Sequence, residues 1–321
     1  MPSFWKDFYG MPEALEKVSG IIKDSVSSRN PIVNEGLGNL FNGGGKMLRP
    51  GLLLIAARFG KTQEKHYKLA AAIEMLHMAT LAHDDVIDDS PLRRGRPALH
   101  SQYGKRDAVL IGDFLLSRCF HLTAEYTSPE NALNLARLIS IICMMEIEQN
   151  TDRFKSNISL RSYIRKIIGK SASLFSLACF VGAHEAKANK ELCERLRRIG
   201  YNIGIAFQII DDILDYTGSP ELMRKSLGND IKEGLVTMPL LCALNLDTTG
   251  TLRDIFSRET FSNEECEVIF SLVCSSGGAQ EAAKRAEKYT NRALREIASL
   301  PAGENRDALE NITRRLLIRQ E

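Results

Sequence analysis

Apolar residues return along this chain every three or four positions, in runs separated by Gly, Pro, Asn and Ser rather than by alternating β-branched strands. That spacing is the helical period. It predicts helices over 11–27, 48–59, 64–89, 103–126, 129–151, 159–183, 188–216, 237–246, 262–275, 278–298 and 303–319, with ends uncertain by about 2 to 4 residues. The expected fold class is all-α, an antiparallel helix bundle. No low-complexity linker, solenoid-period repeat or shift in composition marks a boundary, so one domain over 1–321 is expected.

Three breaks in the pattern carry charge. Asn42 to Pro50 places Lys46 and Arg49 beside a run of three glycines, just ahead of a helix. Asp89 to Pro97 sets Arg93, Arg94 and Arg96 directly after an acidic helix end. Gly218 to Pro239 is the longest interruption, and loops of that length in compact domains are often functional.

Two helices break the usual rules for charge. His83-Asp84-Asp85-Val86-Ile87-Asp88-Asp89 puts four carboxylates at the C-terminal end of the helix over 64–89. Like charges at i,i+4 cost about 0.2 to 0.5 kcal/mol per pair, and anions near a helix C-terminus oppose its dipole by roughly 0.3 to 1 kcal/mol each. Hard divalent cations with oxygen ligands are the natural compensation. Asp211-Asp212-Ile213-Leu214-Asp215 repeats the DDxxD spacing on a helix otherwise rich in Ile, Phe and Leu. A helix apolar nearly all round is buried. Yet Gly204, Gln208, Asp211 or Asp212, and Asp215 share one stripe, as do His77, Thr80, Asp84 and Asp88 on the first helix. Two such stripes facing each other would build a core pocket with metal ligands at its mouth. A single charge run is usually a solvated helix end; two at identical spacing on such apolar helices argue against that here.

Composition narrows the picture. The 42 Lys and Arg against 40 Asp and Glu leave a net charge of +2, which provides no bulk field for nucleic acid or an anionic membrane. The seven cysteines form no CxxC pair and sit mostly among apolar residues, as core residues of a reducing, cytoplasmic compartment do. The N-terminus lacks the unbroken apolar stretch of a signal peptide. No window is expected to reach the roughly 18 apolar residues of a membrane span, so no stable membrane insertion is anticipated, and the aromatics Phe4, Trp5 and Phe8 are read as tucked in.

At these residues the chain resembles the polyprenyl synthetase family, the head-to-tail trans-isoprenyl diphosphate synthases, over most of its length. Gly-Gly-Lys-Met-Leu-Arg-Pro, with Lys46 and Arg49, is similar to the family's isopentenyl diphosphate motif, and His77 stands where the family has a His or Gln for the same group. Asp84, Asp85 and Asp88 followed by Arg93-Arg94-Gly95 resemble the first aspartate-rich motif. Lys170-Ser171, Phe207-Gln208 with Asp211, Asp212 and Asp215, and Lys225 with Gly228, Asp230, Thr237 and Pro239 resemble the later motifs. Leu235 replaces a lysine common in relatives, and Met145 stands where long-chain relatives often have Gly.

The resemblance implies an isoprenoid synthase fold around a deep central cavity, a homodimer, and chain elongation of an allylic diphosphate with isopentenyl diphosphate. It implies three Mg2+ ions bridged by Asp84, Asp85, Asp88, Asp211, Asp212 and Asp215. Arg93, Lys170 and Lys225 would be direct cations to the allylic diphosphate, and Lys46, Arg49, His77 and Arg94 would hold the homoallylic one. Ser171 and Gln208 offer dipoles near the carbocation. Stabilising the leaving group with preorganised positive charge is what such an ionisation needs. Small Ala79 beside Thr80, about 7.5 Å below Asp84 at the helical rise, leaves room for a tail, with Ile141, Met144 or Met145 as floor. The product expected is geranylgeranyl or longer. The alternatives are a class I terpene cyclase, which would lack Lys46 and Arg49, and a non-catalytic subunit of a heteromeric synthase, which would tend to lose aspartates.

Overall fold

A face of Met11, Leu15, Val18 and Ile22, spaced for a helix and buried, begins the fold in α1 (Met11–Val26), with Glu13 in its first turn and Lys23 in its last, as the helix dipole favours. The computed structural model describes residues 3–42, 45–93, 95–217, 229–258 and 260–317. After α1 come α2 (Pro31–Asn42), α3 (Leu48–Ala57) and α4 (Glu64–Ile87), then a hairpin of β1 (Leu92–Arg93) and β2 (Arg96–Pro97). α5 (Leu99–Tyr103), α6 (Lys105–Tyr126), α7 (Pro129–Thr151), α8 (Leu160–Ile167), a π-turn (Ile168–Ala172), α9 (Ser173–Glu185) and α10 (Lys190–Thr217) follow. The chain continues with α11 (Asn229–Lys232), α12 (Met238–Leu246), α13 (Thr251–Phe256), α14 (Asn263–Ser275), α15 (Gly278–Ala298) and α16 (Glu304–Leu317). The fold class is all-α, as expected.

The chain groups into two compact units, Met1–Leu135 with Ala178–Glu194, and Ala136–Leu177 with Arg195–Glu321. In the first, α4 packs along α6 and against α3 and α1. Close approach is built in with glycines: a Cβ at Gly112 would lie 2.3 Å from His83 Nε2, and one at Gly182 would lie 2.2 Å from the Leu53 carbonyl oxygen. In the second, α12 lies on α15. The α15 face is mostly alanine (Ala279, Ala282, Ala286, Ala293), small enough for that contact.

Four differences from the sequence pattern have physical reasons. α2 falls outside the helices that the apolar period predicts, because Gly36 and Gly38 dilute that period. Asn30 Oδ1 accepts from the Ile32 N–H at its start, Leu37 is buried, and Gly36 lets it press against Ile111 and Leu99. The helix over 159–183 is interrupted by the π-turn, which no periodicity marks. The 89–97 loop closes as a two-residue antiparallel ladder, with Arg93 opposite Arg96 and Gly95 at φ 75°. Against expectation, one helical stretch, Leu160–Glu185, is long and apolar enough for a membrane span (mean hydropathy 1.3), but 67% of its most apolar window is buried within the protein, as for a core helix.

Candidate active site

In the first unit, the loop ahead of α3 is held from the N-terminus. Trp5, 1% exposed, donates its indole N–H to the Lys46 carbonyl at 2.5 Å, and its ring lies where a Cβ on Gly51 would be, 2.2 Å from Cζ2. Phe8 is buried beside it while Phe4 is half-buried, so two of the three N-terminal aromatics are tucked in. Met47 takes φ 47° to turn the chain into α3, and Arg49, on the first turn, is 8% exposed. A cavity of about 730 Å³ draws together Lys46, Glu74, His77, Asp85, Arg93 and Arg96. Residues 46, 77, 85 and 93, far apart in sequence, therefore line one space.

The first aspartate cluster divides by partner. Asp85 is 1% exposed and accepts from Arg93, whose Nε reaches it at 2.8 Å and whose terminal amino group is also bonded to it. Asp89, at φ 48°, faces Lys105 at 2.9 Å, and that ammonium holds its carboxyl below the usual range. Asp84 and Asp88 lie half-buried on the same line of α4 as Glu74, His77 and Thr80, while Ala79 beside them is fully buried. The Thr80 hydroxyl turns back to the His77 carbonyl at 2.8 Å. The polar stripe read from the sequence is thus the wetter line of a buried helix.

In the second unit, the π-turn carries Lys170 and Ser171. Gly169 within it is covered by Met145, whose Cγ would stand 2.2 Å from an added Cβ, with Ile141 alongside. Met144 points the other way and is 59% exposed. Lys170 pairs with Glu146 at 2.8 Å. Ser171, 6% exposed, donates to Gln208 Oε1 at 2.5 Å. Gln208 Nε2 donates in turn to Asp212 Oδ1 at 3.1 Å. Asp212 Oδ2 accepts from the buried Tyr163 hydroxyl at 2.5 Å and from the Met238 N–H at 2.9 Å.

Electrostatics separates the second cluster too. Burial pushes the Asp212 carboxyl up to about 7 although three donors pull it down. Asp215 is exposed as a residue, but loss of water around its carboxylate, then repulsion from Asp230, Asp212 and Asp211, raises it to about 8. Asp211 is half-buried. The open choice between Asp211 and Asp212 on the stripe is resolved: Asp211 lies on the accessible line with Gln208, and Asp212 turns into the core. Among the described residues no three acidic, His or Cys side chains already converge on a metal position. The donor set nonetheless fits a hard cation: crowded carboxylates that repel one another are relieved by one.

Arg94, Lys225 and Gly228 lie outside the described residues. Sequence reasoning missed Tyr163, Trp5 and Glu146 as neighbours of these residues, because nothing in their local spacing points at them. Asp230 was legible only as part of the motif after the second cluster.

Comparison with known proteins gives one answer. The polyprenyl synthetase family model matches residues 30–273. The heptaprenyl diphosphate synthase component 2 of Geobacillus stearothermophilus is 36% identical, covering 94% of each chain. The all-trans-nonaprenyl-diphosphate synthase (geranyl-diphosphate specific) of Rhodobacter capsulatus is 39% identical over 93% of this chain and 92% of its own. The structure of a polyprenyl synthase from Caulobacter crescentus, complexed with calcium and isoprenyl diphosphate, superposes with a TM-score of 0.91 at 35% identity, covering 97% of this chain and 96% of that one.

Proposed function

The chain belongs to the polyprenyl synthetase family, and from that premise we propose which of its residues do what, with which ions and to what product. It is a trans-prenyltransferase of isoprenoid biosynthesis that elongates an allylic diphosphate with isopentenyl diphosphate, and a product of geranylgeranyl length or longer fits its relatives. The observation that carries the assignment of residues is the 730 Å³ cavity that collects Lys46, His77, Asp85 and Arg93.

Lys46, Arg49, His77 and Arg94 hold the isopentenyl diphosphate. Lys46 sits on a loop fixed by Trp5 and Arg49 on the first turn of α3, so the two charges are presented without ordering the loop at each turnover. Arg93, Lys170 and Lys225 are assigned to binding the allylic diphosphate. The two aspartate clusters, Asp84 to Asp88 and Asp211 to Asp215, hold Mg2+, three ions in all. Bound Mg2+ supplies charge that stabilises the departing diphosphate. Ser171 and Gln208 place oxygen dipoles beside the allylic cation; the alkene is the nucleophile, and the departing diphosphate accepts the proton. Leu235 leaves one fewer cation for that group than many relatives have.

We also propose a homodimer and a cytoplasmic location. Exposed Leu110, Phe120 and Leu133 in the first unit offer an apolar surface for self-association, and the seven free cysteines suit a reducing compartment. The names of two relatives include a component number, and a size measurement of the purified chain tests the homodimer. Farnesyl diphosphate, isopentenyl diphosphate and Mg2+ incubated with the purified chain should give elongated products and inorganic diphosphate. Release of diphosphate from the allylic substrate alone would favour a cyclase, and no turnover without a second protein would favour a partner subunit.

A further inference from the structure

The cations of α15 fall into two groups. Lys284 and Arg285 share Glu281, at 3.3 and 3.7 Å. Lys288, Arg292 and Arg295 form an exposed stripe at i, i+4, i+7, and among the described residues no carboxylate stands within ion-pair distance of any of them. Like charges at that spacing repel along a helix face. Two of the three are nonetheless held in place. The Arg292 guanidinium lies over the Tyr289 ring, 5.0 Å from its centroid, and Arg295 Nε donates to the Asn291 carbonyl at 3.3 Å. Neither contact neutralises the charge.

The same stripe borders two cavities in the second unit. One, of about 630 Å³, lies between α10 and α15 and brings Arg197, Arg198 and Tyr201 to Arg292 and Arg295. Its single carboxylate, Glu296, is already engaged by Arg198, at 2.9 and 3.1 Å, and by Arg195, at 3.4 Å. Burial, then Tyr289, raises the Tyr201 phenol against the pull of Arg292 and Arg197, so guanidiniums from both helices act on one ring. The other cavity, of about 680 Å³, is lined by Lys288, Arg295 and Arg314, the last paired with Glu310. Arg295 lines both, so the two cavities meet at that side chain.

A cavity walled by guanidinium forks and short of carboxylate suits oxyanions, which Arg binds through paired, parallel N–H bonds. Lys288 and Arg295 are separated by about 10 Å of helix rise, more than a single carboxylate or phosphate covers. We propose that this face of α10 and α15, continuing to α16, is a binding site for a ligand bearing several phosphoryl groups, supplied by a soluble oligophosphate or by the headgroups of an anionic lipid surface. It is separate from the catalytic centre, because Arg198 and Asp212 lie about 21 Å apart along α10 at the helical rise. The net charge of +2 conceals such a face, since the surplus is local.

Arg292→Ala combined with Arg295→Ala removes two of the forks. Alanine is the strongest helix former, so α15 should persist. Arg197→Ala enters the same cavity from α10 and gives an independent arm. Isothermal titration of inorganic triphosphate into the full chain in EDTA should reveal a site that the double variant binds about tenfold more weakly and Arg197→Ala about threefold more weakly. Added NaCl should weaken that site in wild type. Co-sedimentation with phosphatidylglycerol vesicles, against phosphatidylcholine alone, distinguishes the sources. Loss of triphosphate binding only supports a soluble ligand, and loss of phosphatidylglycerol binding, with it or instead of it, supports a lipid headgroup. Turnover of farnesyl and isopentenyl diphosphates should stay within about twofold of wild type, since neither substitution touches the catalytic centre. The proposal is overturned if wild type binds neither probe at a site other than the catalytic centre, or if the double variant and Arg197→Ala both bind triphosphate and vesicles as wild type does.

Discussion

The indole of Trp5 donates to the backbone carbonyl of Lys46 at 2.5 Å, joining the first turn of the chain to a loop that lies forty-one residues away. Trp5→Phe keeps most of the ring over Gly51 but deletes the donor. The KM for isopentenyl diphosphate should rise by about three- to tenfold, equivalent to roughly one hydrogen bond of about 0.5 to 1.5 kcal/mol, with kcat within about twofold. Steady-state kinetics with isopentenyl diphosphate varied would check it. An unchanged KM would mean the loop is ordered by other contacts.

Asp215 shares its surroundings with Asp211, Asp212 and Asp230. Without metal, folding raises this carboxyl to about 8, so at neutral pH wild type must take up a proton to fold; Asp215→Asn removes that cost, and the metal-free protein should melt a few degrees higher than wild type. With Mg2+ the order should reverse, because wild type gains more from the ion than the variant does. Thermal melts in EDTA and in Mg2+ measure both, and EDTA should abolish turnover in either protein. A variant that melts lower than wild type in EDTA would contradict the crowding argument.

Glu185, at the end of α9 and 4% exposed, accepts from Lys65 at 2.6 Å, Asn131 at 2.7 Å, Thr127 at 2.9 Å and the Ser128 N–H at 3.0 Å. Burial alone would push its carboxyl up; these donors outweigh it and hold the group down at about 2. A depressed carboxyl contributes stability above its unfolded value, near 4.5, and that stability drains away as pH falls toward 2. Glu185→Gln should cost about 2 kcal/mol at neutral pH. It should also flatten the fall of melting temperature between about pH 4.5 and 2. Equal slopes in the two proteins would show that Glu185 does not govern the acid limb.

Product length should respond to Ala79 and Met145 in opposite directions. Ala79 is fully buried, so Ala79→Phe places a ring below the first cluster; products should shorten, at a packing cost of about 1 to 3 kcal/mol. Met145→Gly uncovers Gly169 and should lengthen them. Chain-length analysis of products from farnesyl diphosphate decides both. A product distribution unchanged by either variant would place the floor elsewhere.

Much of this protein was determined by its sequence alone. The helical period set the fold class and most helix boundaries, because burial of one face at 3.6 residues per turn is a local property of the chain. The DDxxD clusters, the cations at 46, 49 and 93, and the motif order were legible because they are local too. Tertiary structure decided which of these residues have partners. It paired Asp85 with Arg93, turned Asp212 rather than Asp211 into the core, and set Tyr163, Trp5 and Glu146 beside residues far away in sequence. It also placed a π-turn at Lys170 and Ser171 and raised α2 out of a glycine-diluted stretch. Hydrogen bonds between distant side chains depend on where whole helices dock, and helix docking is fixed by packing that no single stretch of sequence contains.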